Sequence, residues 1–362
     1  MKAMAVMILT FKYRIKDATV GKYLDCHSRS VNFVWNYCCE IQRKVEAYYK
    51  AGAPKRRWPS HFDLVKLTTG CAADLGLHSD TVSQICKQFV ISRNAARHAP
   101  RFRASGGPKR ALGWLPFIKR AVKLDGAHVV YRKRKFHFWK SRDIPDAIKT
   151  GCFTQDARDR WYVCFQCEVP DDLPTGNGEI GIDLGLKTLA TCSNGDTIPA
   201  LQHYRQYEAV LAVAQRAGNK RRVKAIHAKI ANVRKDQLHK ASTKIARENQ
   251  LIVVGNVSAA QLAKTRMAKS VLDASWSMLR NMLEYKASRH RARFIEADER
   301  WTSQACSDCG AVSGPKGIAQ LGIRHWVCSD CGCSHDRDVN AARNILFVGA
   351  ERRPPVEEIP AL

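Results

Sequence analysis

Two aspartates and four cysteines are the residues of this chain whose surroundings suit metal chemistry. Asp183 stands in Gly-Ile-Asp-Leu-Gly-Leu-Lys at 181–187, and Asp338 in Asp-Arg-Asp-Val-Asn-Ala-Ala at 336–342. Carboxylates are the hard oxygen ligands that magnesium or manganese requires. Two such ions about 3.5–4 Å apart can clamp both the attacking and the leaving oxygen of a phosphodiester, provided several anionic oxygens converge on them. Two aspartates alone leave that set incomplete. Cys306-x-x-Cys309 and Cys328-x-x-Cys331 are separated by eighteen residues. Each pair closes a tight knuckle, and four thiolates at about 2.3 Å complete a tetrahedral zinc shell with no open position, the mark of a structural ion. Cys333 and His335 lie close enough to compete as ligands, yet Gly310 and Gly332, each directly after a pair, favour the two pairs. Gly314, Pro315, Gly317 and Gly322 between the pairs suit a ribbon loop.

These side chains need rigid backbone to hold them. Residues 179–183 read as a short apolar strand, Gly185 lets the chain turn, and 189–191 with Asn194-Gly195 read as a hairpin, which sets Asp183 within a β-meander. Asp338 opens a helix through Ala341, Ala342, Ile345 and Leu346, with Asp336 as its cap. An acid in a first helical turn is also favoured by the helix dipole alone, so Asp338 has a bland reading beside the chemical one. The apolar run 251–254 is a strand between them. Upstream, Leu24, Val31, Val34, Trp35, Cys38 and Ile41 recur at helical spacing over about 20–49, and a second helix covers about 80–95. Residues 54–59, with Arg56, Arg57 and Trp58 between two prolines, punctuate the pair. Short alternating runs at 127–131, 135–139, 152–154 and 161–169 predict a β-barrel or sheet beside the helices. Pro174, Gly176 and Gly178 mark a linker before the last domain.

Charge points to a polyanionic partner. With 60 Lys and Arg against 33 Asp and Glu in 362 residues the formal charge is +27, enough to attract nucleic acid at long range and to release phosphate counterions on binding. No apolar run reaches the roughly 18 residues of a membrane span. The stretch at 4–9 is short, is followed by Lys12, Arg14 and Lys16, and lacks a small-residue cleavage site, so a first β-strand of a cytoplasmic, nucleoid-associated bacterial protein is expected. Fourteen cysteines then read as thiols and metal ligands. Residues 101–140 hold twelve Lys or Arg and one acid, interleaved with Trp114, Phe117, Tyr131, Phe136, Phe138 and Trp139. Rings and charge together can stack bases and track phosphates, although most of these rings are expected to fill a core. The expected nucleic-acid contacts are Arg56, Arg57, Arg101, Arg103, Arg132, Lys133, Arg134 and Lys135, with Gln84, Lys87 and Gln88 sharing one helix face able to address base edges; a solvated polar face is the alternative. Residues 205–247 hold twelve basic residues and two acids in an alanine-rich helical context, either a solvated hairpin or a second nucleic-acid surface.

Taken in order, these motifs resemble the TnpB family, RNA-guided RuvC nucleases of bacterial insertion sequences related to type V CRISPR effectors. The residues that carry the likeness are 181–195, 270–276 (Ser-Val-Leu-Asp-Ala-Ser-Trp), 283–286 (Leu-Glu-Tyr-Lys), 302–310 (Thr-Ser-Gln-Ala-Cys-Ser-Asp-Cys-Gly) and 335–346, with weaker likeness at 100–103 and 160–163. The resemblance implies a multidomain α/β protein. A β-barrel (wedge) domain at 1–15 and 101–172 would carry an inserted helical recognition lobe at 16–100. An RNase H-like (RuvC) nuclease domain would occupy 178–349, with a zinc ribbon at about 302–335 and a tail at 350–362. It further implies a guide RNA, a double-stranded DNA target cut beside a short adjacent motif, magnesium or manganese at the acids, zinc at the cysteines, no membrane, and a monomer or homodimer.

One position departs from that family. Its third acid is a Glu directly after the second strand, where this chain has Gly255. In an RNase H-like sheet the strand ending at Val254 runs parallel to the next, here about 292–298, and their carboxyl ends lie side by side about 4.8 Å apart. Glu299 follows that next strand and is expected to reach into the space left by Gly255. Glu296 is the other candidate, disfavoured because alternation with Phe294 turns it to the other face; Asp298 is shorter, and the competing reading is that Glu299 and Arg300 form an exposed turn. With Glu299 the set is Asp183, Glu299, Asp338 and the function an endonuclease. Without it, the same scaffold is an RNA-guided DNA-binding transcriptional repressor. A transposase acting without RNA would also fit the charge and the zinc.

Overall fold

The computed structural model describes residues 6–16, 19–52, 57–96, 99–257, 275–316, 320 and 322–352. They divide into two compact units, Val6–Val169 and a second one from Pro170 onward.

In the first unit, β1 (Val6–Arg14) is followed by four helices, α1 (Thr19–Lys50), α2 (His61–Leu67), α3 (Cys71–Asp74) and α4 (Ser79–Ala95), and then by β2 (Trp114–Ile118), β3 (Val122–Asp125), β4 (His128–Tyr131), β5 (Arg134–His137), β6 (Ile148–Gln155) and β7 (Trp161–Pro170). The helices are thus inserted between the first and second strands. Leu24, Val31, Val34, Trp35 and Cys38 of α1 are all buried, as their spacing predicts. Helices α2 and α3 were not foreseen: they are only a turn or two long, too short for a periodic apolar stripe, although Ser60 and Asp63 form a capping box at the start of α2. Where a β-barrel or sheet was expected, the strands form two sheets, β1-β7-β6-β2 and β3-β4-β5, bridged at Ile15 and Phe138. Phe117, Tyr131, Phe136 and Phe138 of the basic stretch are fully buried in one core with α1 and α4. Trp139 is exposed.

The second unit contains β8 (Gly178–Leu184), β9 (Thr188–Cys192), β10 (Thr197–Pro199), α5 (His203–Arg216), α6 (Lys220–Glu248), β11 (Asn249–Gly255), α7 (Trp276–Arg289), β12 (Arg293–Ala297), β13 (His325–Val327), β14 (Ser334–Asp336) and α8 (Arg337–Gly349). Its five-stranded sheet has the order β10-β9-β8-β11-β12. The first three strands form an antiparallel meander, and β11 runs parallel to β12 as expected and also to β8. Alternation sorts each strand between two faces. Ile180, Ile182, Leu184, Ile252 and Val254 pack with Leu238 and Ile245 of α6 and Leu279 and Leu283 of α7. Leu251, Val253 and Ala297 pack with Ile345 of α8 on the opposite face. Helix α8 lies directly on β8 because position 181 has no side chain: a Cβ there would stand 2.0 Å from the Ala342 carbonyl oxygen.

Candidate metal centres and nucleic-acid surfaces

Asp183 is one residue beyond Ile182, which pairs with Val254; continuing that register sets Gly255 beside Asp183. On the other side, Gly255 pairs with Ala297. Ala297 belongs to the α8 face, so Glu299, two residues on, returns to the same side of the sheet. A Cβ on Gly255 would meet Glu299 Oε2 at 2.9 Å, Ile345 Cδ1 at 3.2 Å and Glu299 Cβ at 3.5 Å. The Glu299 side chain therefore occupies the space beside Gly255. Asp338 comes down from the opposite wall, in the first turn of α8, where Asp336 caps the helix by accepting from the amides of Asp338 and Val339. Asp183, Glu299 and Asp338 all line one cleft of about 240 Å³, with Leu184, Thr302, Ser303, Arg324, Arg337 and Ala341. Glu296 faces away and pairs with Arg280 of α7 at 3.4 Å. Asp298 is held by Arg300 at 2.7 Å. Trp276, buried at the start of α7, donates to the Gly185 carbonyl at 3.2 Å and steadies the turn just after Asp183. Ser270 to Ala274 of the same motif lie outside the described residues.

Burial, then the charges of Glu299 and Asp338, push Asp183 up to about 7, against the lowering effect of Arg337. Burial also raises Glu299, with Arg280 opposing. Arg324 Nη1 donates to both oxygens of Asp338, at 2.8 and 2.9 Å. Three carboxylates lining one cleft, one of them raised by burial and by the charges of the other two, are hard oxygen donors, so the residues present fit magnesium or manganese in donor chemistry. Arg324 and Arg337 were not singled out from sequence. Arg337 is adjacent to a candidate acid, but nothing local distinguishes Arg324.

The four cysteine sulfurs lie within 4.8 Å of one another. Cys306 and Cys331 are 3.7 Å apart and Cys309 and Cys328 3.6 Å, close to the roughly 3.8 Å edge of a tetrahedron with 2.3 Å zinc–sulfur bonds. In each knuckle the glycine amide donates to the first cysteine's carbonyl, Gly310 to Cys306 at 2.9 Å and Gly332 to Cys328 at 3.0 Å. Both glycines have positive φ, 86° and 73°, which is why glycine follows each pair. A hydrogen bond from Ser313 leads the effects that lower Cys328 to about 6, a thiol ready to ionise. His335 is buried with Nε2 3.1 Å from Cys306 Sγ, a neighbour of the four-sulfur set. The second pair of cysteines lies in the loop that joins β13 to β14, and that hairpin delivers the chain into α8 and Asp338.

Residues 162–266 match the OrfB_IS605 family, described as “Probable transposase”, and residues 276–345 match the Cas12f1-like TNB domain. In its second half the chain is therefore similar to transposase and Cas12f1-like families. The “Putative RNA-guided DNA endonuclease” of Streptomyces pristinaespiralis is 39% identical over 58% of this chain and 55% of its own length. The protein of the same description called InsQ in Escherichia coli (strain K12) is 27% identical over 58% of each. The chain thus spans about half the length of the curated relatives it matches. A solved Cas12f1–sgRNA–target DNA complex superposes with a TM-score of 0.57 at 13% identity, covering 94% of this chain and 98% of that one, a likeness of fold.

In the first unit, the expected nucleic-acid contacts differ in what they have free. Arg132 and Lys133 are exposed in the β4–β5 turn, with φ of 46° and 64°. Arg134 and Lys135 are exposed at the start of β5, where Arg134 lies over the Tyr23 ring and Lys135 pairs with Asp125 at 3.2 Å. Lys87 and Gln88 are exposed on α4 and Gln84 is half-buried beside them. Arg57 and Arg101 are exposed, and Arg56 lies outside the described residues. Arg103 departs from the expected role. It donates to Asn32 Oδ1 at 2.7 Å and the Leu112 carbonyl at 2.9 Å and lies near the Trp35 and Trp114 rings, so it braces the 100–112 segment against α1. In the second unit, α5 and α6 form a helical pair with a small core of Leu211, Ala214, Ile226 and Ile230 and an otherwise exposed basic surface. Among the described residues no helix is long and apolar enough to cross a membrane.

Proposed function

We propose that this chain is an RNA-guided DNA endonuclease of a transposable element, cutting guide-complementary double-stranded DNA beside a short adjacent motif with Asp183, Glu299 and Asp338. The observation that carries the reading is the Glu299 carboxylate beside Gly255, in one cleft with Asp183 and Asp338: the acid missing from one strand end is supplied by the end of its neighbour. Magnesium or manganese, when bound, would polarise the scissile phosphate and lower the pKa of the attacking water. Asp183 and Asp338 would hold both ions from opposite walls, and Glu299 would complete the set. Asp183 must lose its proton to serve, which its position near neutrality allows. Arg324 answers the charge of Asp338 in the cation-free protein, and its guanidinium would suit a backbone phosphate once a cation takes over that role. Zinc at the four cysteines would stabilise the hairpin leading into Asp338 without entering the reaction, since four thiolates leave no vacancy. The exposed bases of the β4–β5 turn and of α6 suit RNA and DNA phosphates, and Gln84, Lys87 and Gln88 suit base edges of the adjacent motif.

The test is cleavage of matched DNA by the chain expressed with its flanking DNA, so that its own guide co-purifies. Magnesium-dependent cutting, lost in Asp183→Ala, Glu299→Ala and Asp338→Ala while target binding persists, would support the reading. Tight, guide-dependent binding without cutting by the wild type would replace it with the repressor. Binding that survives RNase would replace it with a guide-free transposase.

A further inference from the structure

Helix α8 carries two asparagines one turn apart, Asn340 and Asn344, both buried, and both amides reach the same two carbonyls. Asn340 Nδ2 donates to Thr302 O at 3.2 Å and Ala305 O at 2.8 Å. Asn344 Nδ2 donates to Thr302 O at 2.8 Å and Ala305 O at 2.7 Å. Asn340 Oδ1 also accepts from the Ser307 amide at 2.8 Å. The gripped segment joins two sites. At one end Thr302 holds Glu299, its amide and Oγ1 donating to the Glu299 carbonyl at 3.3 and 2.7 Å. At the other end Ala305 precedes Cys306, the first of the four thiols. The ribbon's other limb is tied to the same helix by the Arg337 amide, which donates to the Arg324 carbonyl at 2.7 Å.

We infer that Asn340 and Asn344 are positioning residues that set the gap between Glu299 and Asp338 and link occupancy of the cysteine site to divalent-cation binding at the acids. Neither amide is bonded to an acid of the cleft. They act through the backbone of residues 302–305, fixing the segment that bears Glu299 against the helix that bears Asp338. Two cations a fixed distance apart need that gap held; in a frayed arc Glu299 would drift away from Gly255. Because the same arc ends at a zinc ligand, each site biases the other, and linkage makes the bias reciprocal. The inference rests on the three-acid reading above.

The test uses manganese as a probe of the acids, read by electron paramagnetic resonance, and zinc release to a zinc-selective dye. In the wild type, saturating manganese should slow zinc release several-fold. Asn344→Leu, alone or with Asn340→Leu, should still retain about one zinc per chain, bind manganese roughly tenfold more weakly, and release zinc at a rate manganese no longer changes. Asn344→Gln, which restores the donor, should recover part of the coupling. If Asn344→Leu fails to fold, the wild-type linkage and Asn344→Gln still decide. Zinc release indifferent to manganese in the wild type, or unchanged manganese affinity in Asn344→Leu, overturns the inference. Asp338→Ala separates the two failures. If it too keeps wild-type manganese affinity, the three-acid site itself is wrong; if it loses manganese while Asn344→Leu keeps it, only the positioning role falls.

Discussion

The carboxylate of Glu299 stands 2.9 Å from where a Cβ on Gly255 would be, so the two positions compete for one place. Glu299→Ala should lower cleavage by at least about 100-fold with guide and target binding intact. Gly255→Ala should displace the carboxylate and give a smaller loss, of the order of tenfold. Gly255→Glu combined with Glu299→Ala should restore part of the activity, because it returns an acid to the same point from the adjacent strand, and Glu296→Ala should cut normally. Single-turnover cleavage of a matched duplex measures all four. Undiminished cutting by Glu299→Ala would show that another group serves.

Asp183 makes cation-free stability fall as pH rises. Its folded pKa, about 7, lies above the ordinary aspartate value of 3.8. Its contribution is therefore fully present below the unfolded value and is lost as pH climbs through about 7, an effect of the order of a few kcal/mol. Without added magnesium the protein should melt lower at pH 8 than at pH 5.5, and Asp183→Asn should flatten this dependence. Magnesium should raise the melting point at pH 8 much more than at pH 5.5. A magnesium response equal at the two pH values would contradict the crowded-carboxylate account.

Arg324 covers both oxygens of Asp338, where a cation would also sit. Arg324→Ala should bind manganese more tightly in the absence of DNA, since a competitor is gone, and yet cut more slowly, since a cation facing the phosphate is gone too. Titration calorimetry and cleavage rates test the two signs separately. Weaker manganese binding by the variant would mean that Arg324 organises the site and does not compete for it.

The zinc ribbon should matter for folding. Cys306→Ser or Cys331→Ser should lose zinc and melt lower by about 5 °C or more; elemental analysis with thermal denaturation measures both. Wild-type melting in a zinc-free variant would leave the cysteine cluster without a structural role.

The helix face of Gln84, Lys87 and Gln88 should read the DNA flanking the target. Gln84→Ala and Gln88→Ala are expected to relax base preference there by roughly 1–3 kcal/mol per lost contact, visible as a flattened motif in a randomised-flank depletion assay. An unchanged motif removes these residues from recognition.

Most of the longer elements and the candidate metal ligands were written in local pattern. Cysteine pairs followed by glycines, a strand bearing Asp183, a capped helix bearing Asp338, and apolar spacing along α1 each follow from interactions within a few residues. What the sequence could only narrow was Glu299: alternation disfavoured Glu296, but placing a carboxylate opposite Gly255 depended on the parallel register of β11 and β12, which pairs residues 42 positions apart. Other functional geometry had no local mark. Arg103 looked like a surface cation until its guanidinium met Asn32 and Leu112, and Arg324 and the two asparagines gained meaning only once the ribbon was laid against α8. Residue type and near-neighbour spacing determine which chemistry is available to this chain. Which groups share a cleft is decided by packing between distant segments, because hydrogen bonds and charge act through space and not along the chain.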